Sequence, residues 1–376
     1  MFLLMMTSTV FANEPEVEAK GAILIEEGTG RVLWEKNGFD HLAMASTTKI
    51  MTLIVALENG NINDTVKITR RAASAPPVKM KLSTNEEIKL EYLLYALMLQ
   101  SYNDSAVAIA EHISGSVEEF CKLMTQKAKE IGAFNTSFET PSGLDAENHY
   151  STAYDMGIIA RYALQNEDFL RITNTPSLDV TSNKSSYHLQ NKNRLLTEVH
   201  GAKGVKTGFT GKAGHCFVGA VERDELSLIS VVLGSGWGGN RNQKWIDTKE
   251  ILSYGFKEFE LKDLINKGEI AGSVNIGRSK TANIDLEYGH SLKLPLSKNE
   301  HVEIELKHVK DALAPINEGD VLGVAKIYIN NRLENTIDLI ATETAERHDL
   351  QSICEKLLKN LYQFYYGVLP VNNFIL

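Results

Sequence analysis

An α+β fold is what this sequence predicts, and three observations predict it. Strand-like apolar runs open the chain and recur after residue 200, helical periodicity fills the stretch between them, and a period-two alternating region follows about Lys262. Strands drawn from both ends of a helical middle imply an antiparallel sheet with distant sequence at its edges and helices flanking it.

The elements follow in order. Residues 21–25 and 31–34 are short apolar runs around Glu27-Gly28-Thr29-Gly30, the pattern of a hairpin with a glycine-rich turn. Periodicity turns helical over 46–57, and Gly60 ends that segment. Further helices are expected over 90–99, 104–113 and 117–131. In the last, Val117, Phe120, Cys121, Met124, Ala128 and Ile131 form one apolar stripe, which makes Cys121 a core residue. Thr152 to Asp155 reads as a capping box before the apolar run 156–164. Strands are expected over 201–207, 215–221 and 226–233, and an amphipathic helix over 247–259 closes the unit. Beyond it, His301 to Leu306 alternates, and two apolar triplets, Ile327-Tyr328-Ile329 and Ile337-Asp338-Leu339, flank an Asn330-Asn331 turn. The organisation expected is therefore an apolar leader over 1–12, a catalytic-size unit over 13–262, a small all-β unit over 263–345 and an amphipathic helix over 346–376.

Composition narrows the function. A net charge of -9 lacks the concentrated basic face that nucleic acid requires. No run approaches the roughly twenty apolar residues that span a bilayer. The start, MFLLMMTSTVFA, reads as the apolar core and small-residue end of a secretory signal without its basic beginning, with cleavage expected after Ala12. Cys121, Cys216 and Cys354 are too few and scattered for a disulfide framework, and the ten histidines show no metal-binding spacing. At the other end Leu350, Ile353, Leu357, Leu358, Leu361 and Phe364 fall on nearly one helical face, to be buried on the β unit or in a membrane interface.

Three short motifs appear in order: Ser46-Thr47-Thr48-Lys49, Ser101-Tyr102-Asn103 and Lys206-Thr207-Gly208. Singly each is weak, and Ser-x-Asn recurs elsewhere, at Ser83 and Ser297 among other places. Context selects among them. At the start of a helix Ser46 and Lys49 lie one turn apart on one face, so the amine can reach the hydroxyl. A serine hydroxyl needs a base to be nucleophilic at neutral pH, and a neutral lysine amine serves if burial and a second cation lower its pKa. Lys206 is the candidate for that cation. Ser46 N–H, free at a helix N-terminus, can stabilise an oxyanion. The Lys206 motif is expected to end a strand, where Gly208 lets a substrate backbone approach the sheet edge. Ser101 and Asn103 are expected in the connection between two helices.

This constellation resembles the penicillin-recognising serine peptidases and β-lactamases. With its flanks, Ala45 to Thr52, Ser101 to Ala108, Pro141-Ser142-Gly143-Leu144-Asp145 and Gly204 to Gly208, it is similar to the low-molecular-mass penicillin-binding proteins, which are serine-type D-alanyl-D-alanine carboxypeptidases. The resemblance runs from about Gly21 to Phe259, and the β unit with its terminal helix matches the same layout. It implies a β-lactamase/transpeptidase-like first domain that needs no cofactor or metal. It implies Ser46 as the acylated residue, Lys49 as base and Ser101 as proton relay. Asn103 would hold the substrate amide, Lys206 and Thr207 the terminal carboxylate, and the N–H groups of Ser46 and Phe209 the oxyanion. Lys244, with Arg241 as substitute, would help bind the carboxylate. The partners implied are peptidoglycan stem peptides ending in D-alanyl-D-alanine and β-lactams, in an exported enzyme with a membrane surface within reach of its last helix. Tyr102 departs from the family's small residue, as do Ala43-Met44 from its proline. Two rivals share the first chemical step. A β-lactamase would want an aspartate at Tyr102 and a dedicated glutamate, and a β-lactam sensor would want membrane-spanning and signalling segments.

Overall fold

The computed structural model describes residues 14–237, 239–347 and 350–366. The leader expected over 1–12 lies outside them. The chain divides into two compact units, one up to Glu260 and one from Leu261 onward.

In the first unit five strands make one antiparallel sheet, in the order Val32–Lys36, Gly21–Glu26, Leu226–Ser235, Gly214–Arg223 and Ala202–Thr210. The opening hairpin thus pairs with the last strand of the unit, Gly21 facing Leu233 and Glu26 facing Leu228. The three inner strands, Gly21–Glu26, Leu226–Ser235 and Gly214–Arg223, are apolar runs buried over nearly their whole length, because helices cover the sheet. Ala202–Thr210 is left as an edge strand, with one side of its backbone free to pair.

The helices stand close to their expected places. Lys49–Asn59 buries Ile50, Leu53, Ile54 and Ala56 and ends at Gly60. Asn103–Ser114 and Val117–Glu130 follow, the latter capped by Ser116 and burying Val117, Phe120, Cys121, Met124 and Ala128. The Thr152 hydroxyl accepts from Asp155 N at the start of Ala153–Ala163, as its capping pattern requires. The closing helix, Gln243–Glu258, begins one turn before the expected position. A helix at Glu167–Asn174 and the hairpin Ser177–Thr181/Ser186–Gln190 were not legible. They are short, and the hairpin strands are mostly exposed.

Among the described residues the second unit is all β apart from its last helix. Its six-stranded sheet runs Val302–His308, Val321–Ile329, Arg332–Ala341, Asn283–Tyr288, Ile270–Gly277 and Asp311–Leu313, beside the pair Phe259–Ile265/Leu292–Ser297. Asn330 and Asn331 both take positive φ, 49° and 67°, in the two-residue turn their sequence signals. The final helix spans Leu350–Tyr366, and Leu357, Leu358, Leu361 and Phe364 on it are exposed, Phe364 to 85%. Among the described residues no helix is long and apolar enough to cross a membrane.

Candidate active site

Ser46 does not open the α-helix itself. It sits in a 3₁₀ turn, Ala45–Thr48, that leads into the helix at Lys49, with Ala45 held at a φ of 48°. A 3₁₀ turn has three residues per turn, so side chains at i and i+3 eclipse. The Lys49 amine accordingly lies 3.0 Å from Ser46 Oγ.

Two acceptors fix that amine. Lys49 Nζ donates to the carbonyl oxygen of Ser142 at 2.5 Å and to Asn103 Oδ1 at 2.9 Å. Asn103 is oriented in turn, since its Nδ2 donates to the carbonyls of Pro76 and Pro77 at 3.2 and 2.9 Å. The loop carrying those prolines is pinned by the buried Asp104 carboxylate, which accepts from the N–H groups of Met80, Lys81 and Leu82. A neutral amine has two N–H donors and one lone pair. With both donors engaged, the lone pair is left for the Ser46 hydroxyl, which also lies 3.3 Å from the Ser142 carbonyl oxygen.

Lys49 is fully buried, and its pKa is held well below the ordinary 10.5, first by burial and then by the positive charge of Lys206. Strand geometry explains how Lys206 reaches it. Side chains at i and i+2 share a face. A Cβ on Gly208 would lie 2.8 Å from Ser46 N, so that face of the strand meets the Ser46 turn and Lys206 projects toward it. Lys206 is 2% exposed and is lowered to about 7, by burial first and by Lys192 second. Thr207 and Phe209 take the opposite face, where the Phe209 ring is exposed and lies 4.5 Å from that of His215. The motif does not end its strand, which continues to Thr210, because pairing with His215 and Gly214 carries on past Gly208.

Ser101 follows a π-helical segment, Ala96–Gln100, and takes φ 63° and ψ 35°. Left-handed backbone costs a non-glycine residue about 1–2 kcal/mol, and such strain concentrates at functional sites. Its Oγ is buried without a hydrogen-bond partner. Ser101 and Tyr102 form the connection between helices, whereas Asn103 is already the first residue of Asn103–Ser114. Lys244 is half-buried, with its amine donating to the Arg241 carbonyl at 3.0 Å, and its pKa is lowered by burial. Lys244 and Arg241 both add to the lowering of His215, which pairs with Phe209 near the end of the edge strand.

Several groups here escaped sequence reasoning. Ser142 acts through a carbonyl, which any residue possesses. Lys192, an exposed residue whose amine lies 3.4 Å from the Gln100 carbonyl, belongs to no motif. Among the described residues no His, Cys, Asp or Glu cluster could hold a metal ion.

A serine beside a buried lysine amine of lowered pKa, next to a glycine-bearing sheet edge, is an arrangement able to carry serine acyl transfer with a lysine base. The family model described as D-alanyl-D-alanine carboxypeptidase matches residues 8–236, and the C-terminal domain of penicillin-binding protein 5 matches residues 259–347. The chain belongs to the D-alanyl-D-alanine carboxypeptidase family of serine hydrolases. D-alanyl-D-alanine carboxypeptidase DacF of Bacillus subtilis (strain 168) is 38% identical over 315 residues, covering 81% of this chain and 80% of that protein. Penicillin binding protein 5 of Haemophilus influenzae superposes with a TM-score of 0.76 at 27% identity, covering 90% of this chain and 100% of that one. The carboxypeptidase DacD of Francisella tularensis gives 0.73 at 25%, covering 90% and 96%.

Proposed function

We propose that this enzyme removes the terminal D-alanine from peptidoglycan stem peptides through an acyl-enzyme on Ser46. The observation that carries the reading is the Lys49 amine, buried, lowered in pKa, satisfied on two sides and 3.0 Å from Ser46 Oγ. Ser46 Oγ attacks the carbonyl between the last two D-alanines as Lys49 takes its proton. The N–H groups of Ser46 and Phe209 receive the oxyanion, a role supported by the bare Gly208 backbone against Ser46 N. Ser101, whose hydroxyl has no partner of its own, passes the proton to the departing amine. Water activated by Lys49 then releases the shortened peptide. Asn103 holds the substrate amide, while Lys206 and Thr207 bind the terminal carboxylate with Lys244 at the rim.

The same first step accounts for β-lactam acylation, because a strained amide with a neighbouring carboxylate imitates the substrate end. No cofactor enters the scheme. Export suits a substrate that lies outside the cytoplasm, and the exposed apolar side chains of the last helix suit contact with a membrane surface. The test is twofold. Ser46→Ala should lose all covalent labelling by a fluorescent penicillin while keeping its circular dichroism, and a labelled variant refutes the assignment. The wild type should release D-alanine from diacetyl-lysyl-D-alanyl-D-alanine faster than it turns over nitrocefin.

A further inference from the structure

We propose that His149 is a positioning residue for the Lys49 base, setting the Ser142 carbonyl against the amine. The proposal rests on the Ser46–Lys49 reading above and concerns a residue in none of the motifs.

The imidazole is 3% exposed and bridges two segments of chain. Its Nδ1 accepts from the backbone N–H of Glu139 at 3.0 Å, and its Nε2 lies 2.9 Å from Thr48 Oγ1. A backbone amide can only donate, so Nδ1 carries no proton and the neutral ring holds its proton on Nε2, donated to the threonine. Burial pushes the ring's pKa down to about 4, which keeps it in that form at neutral pH. The titratable groups facing it are Glu139, Asp145, Lys212 and the Lys49 amine.

Both ends of the bridge matter to the chemistry. Thr48 belongs to the turn that holds Ser46, and Lys49 follows it directly. Glu139 stands three residues before Ser142, whose carbonyl takes 2.5 and 3.3 Å contacts from Lys49 Nζ and Ser46 Oγ. Between them the chain is stiff: Thr140 Oγ1 donates to Leu144 O and accepts from Gly143 N. Gly143, at a φ of 83°, lies so close to Ala45 that an added Cβ would stand 1.9 Å from its carbonyl oxygen. The Thr52 hydroxyl adds a second tie, to Pro141 O at 2.6 Å. His149 thus fastens the carbonyl-bearing segment to the nucleophile turn on one side while Thr52 fastens it on the other. A carbonyl that drifts frees one N–H of the amine, and the lone pair is no longer confined to Ser46.

Stopped-flow acylation of the full chain by a fluorescent penicillin separates the non-covalent dissociation constant from the acylation rate constant. His149→Leu, which keeps bulk and removes both hydrogen bonds, should slow acylation about tenfold to hundredfold, the range expected for misplacing a group by an ångström. The dissociation constant should stay within about twofold, because no substrate contact is touched. His149→Gln, with one acceptor and one donor on its amide, should restore the rate to within about threefold of wild type. Thr48→Val should reproduce the loss, and combining it with His149→Leu should add little, since both cut one bridge. A wild-type rate in His149→Leu, a Gln variant as slow as Leu, or additive losses each overturns the proposal. Should His149→Leu not fold, the Gln and Thr48→Val variants carry the test. Ser46→Ala is run alongside. If it still acylates, the site reading itself fails; if it is dead while His149→Leu acylates normally, only the bridge fails.

Discussion

The two units of this chain treat charge in opposite ways. In the first, Lys49, Lys206, Asp104 and Asp247 are all nearly or fully buried, along with Asn103 and His149. In the second, among the described residues, the core is aliphatic with Tyr288, and every buried polar side chain of the molecule falls between Glu26 and Thr248. Burying an ionisable group costs free energy unless it is paired or neutralised. The β unit avoids that cost. The first unit accepts it at the Lys49 and Lys206 amines, and at its carboxylates offsets it locally: Asp247 accepts from Ala19 N, Ser235 Oγ and Gln243 Nε2, and Asp104 from three consecutive amides. A buried charge in the first unit therefore marks either an anchor for a loop or a member of the proposed site.

The contrast can be broken experimentally, and its largest consequence concerns the base. Lys49→Met should reduce D-alanine release by about 10²–10⁴-fold, the usual worth of a positioned acid–base group, with the fold retained; near-normal turnover would remove lysine from the mechanism. Lys206→Gln should lower kcat/KM by about 10²-fold through the lost carboxylate partner and oriented charge. It should also move the acid limb of the acylation profile to higher pH, because the Lys206 cation is part of what lowers Lys49. An unmoved limb would deny the coupling.

The same lysine gives a stability prediction. Its folded pKa, about 7, lies below the ordinary 10.5, so the unfolded chain binds more protons between those values. Stability contributed by this group rises as pH climbs through that window, and Lys206→Gln should flatten the rise seen by denaturant titration. In the second unit, Ile337→Ala should cost about 2–4 kcal/mol of that unit's stability by the cavity it leaves, yet leave penicillin acylation within about twofold. Matching losses in both would join the units energetically. The smallest effect belongs to the exposed pair of Lys307 and Glu305, where Lys307→Ala should leave the unfolding curve unchanged.

Most of the fold was legible because it is periodic. The Val117–Glu130 stripe, the Asn330-Asn331 turn and the paired apolar runs each write their structure into adjacent positions. What failed was local or irregular. The turn around Ser46 proved to be 3₁₀, and the Lys206 strand ran two residues past its motif, because pairing with a neighbour and not composition decides where a strand stops. The hairpin Ser177–Gln190 lacks an apolar face strong enough to read.

The sequence by itself determined which side chains the proposed chemistry draws on. Ser46 and Lys49 share one turn, so their meeting needs no tertiary contact, and the residue types at Ser101, Asn103 and Lys206 restrict their possible roles. Tertiary structure decided everything that depends on a group's surroundings. It buried the Lys49 amine, set Lys206 beside it from the sheet edge, and aimed the Ser142 carbonyl and the His149 bridge from more than ninety positions away. The physical reason is that a pKa and a hydrogen-bond direction belong to an environment, and backbone carbonyls carry no letter in the sequence.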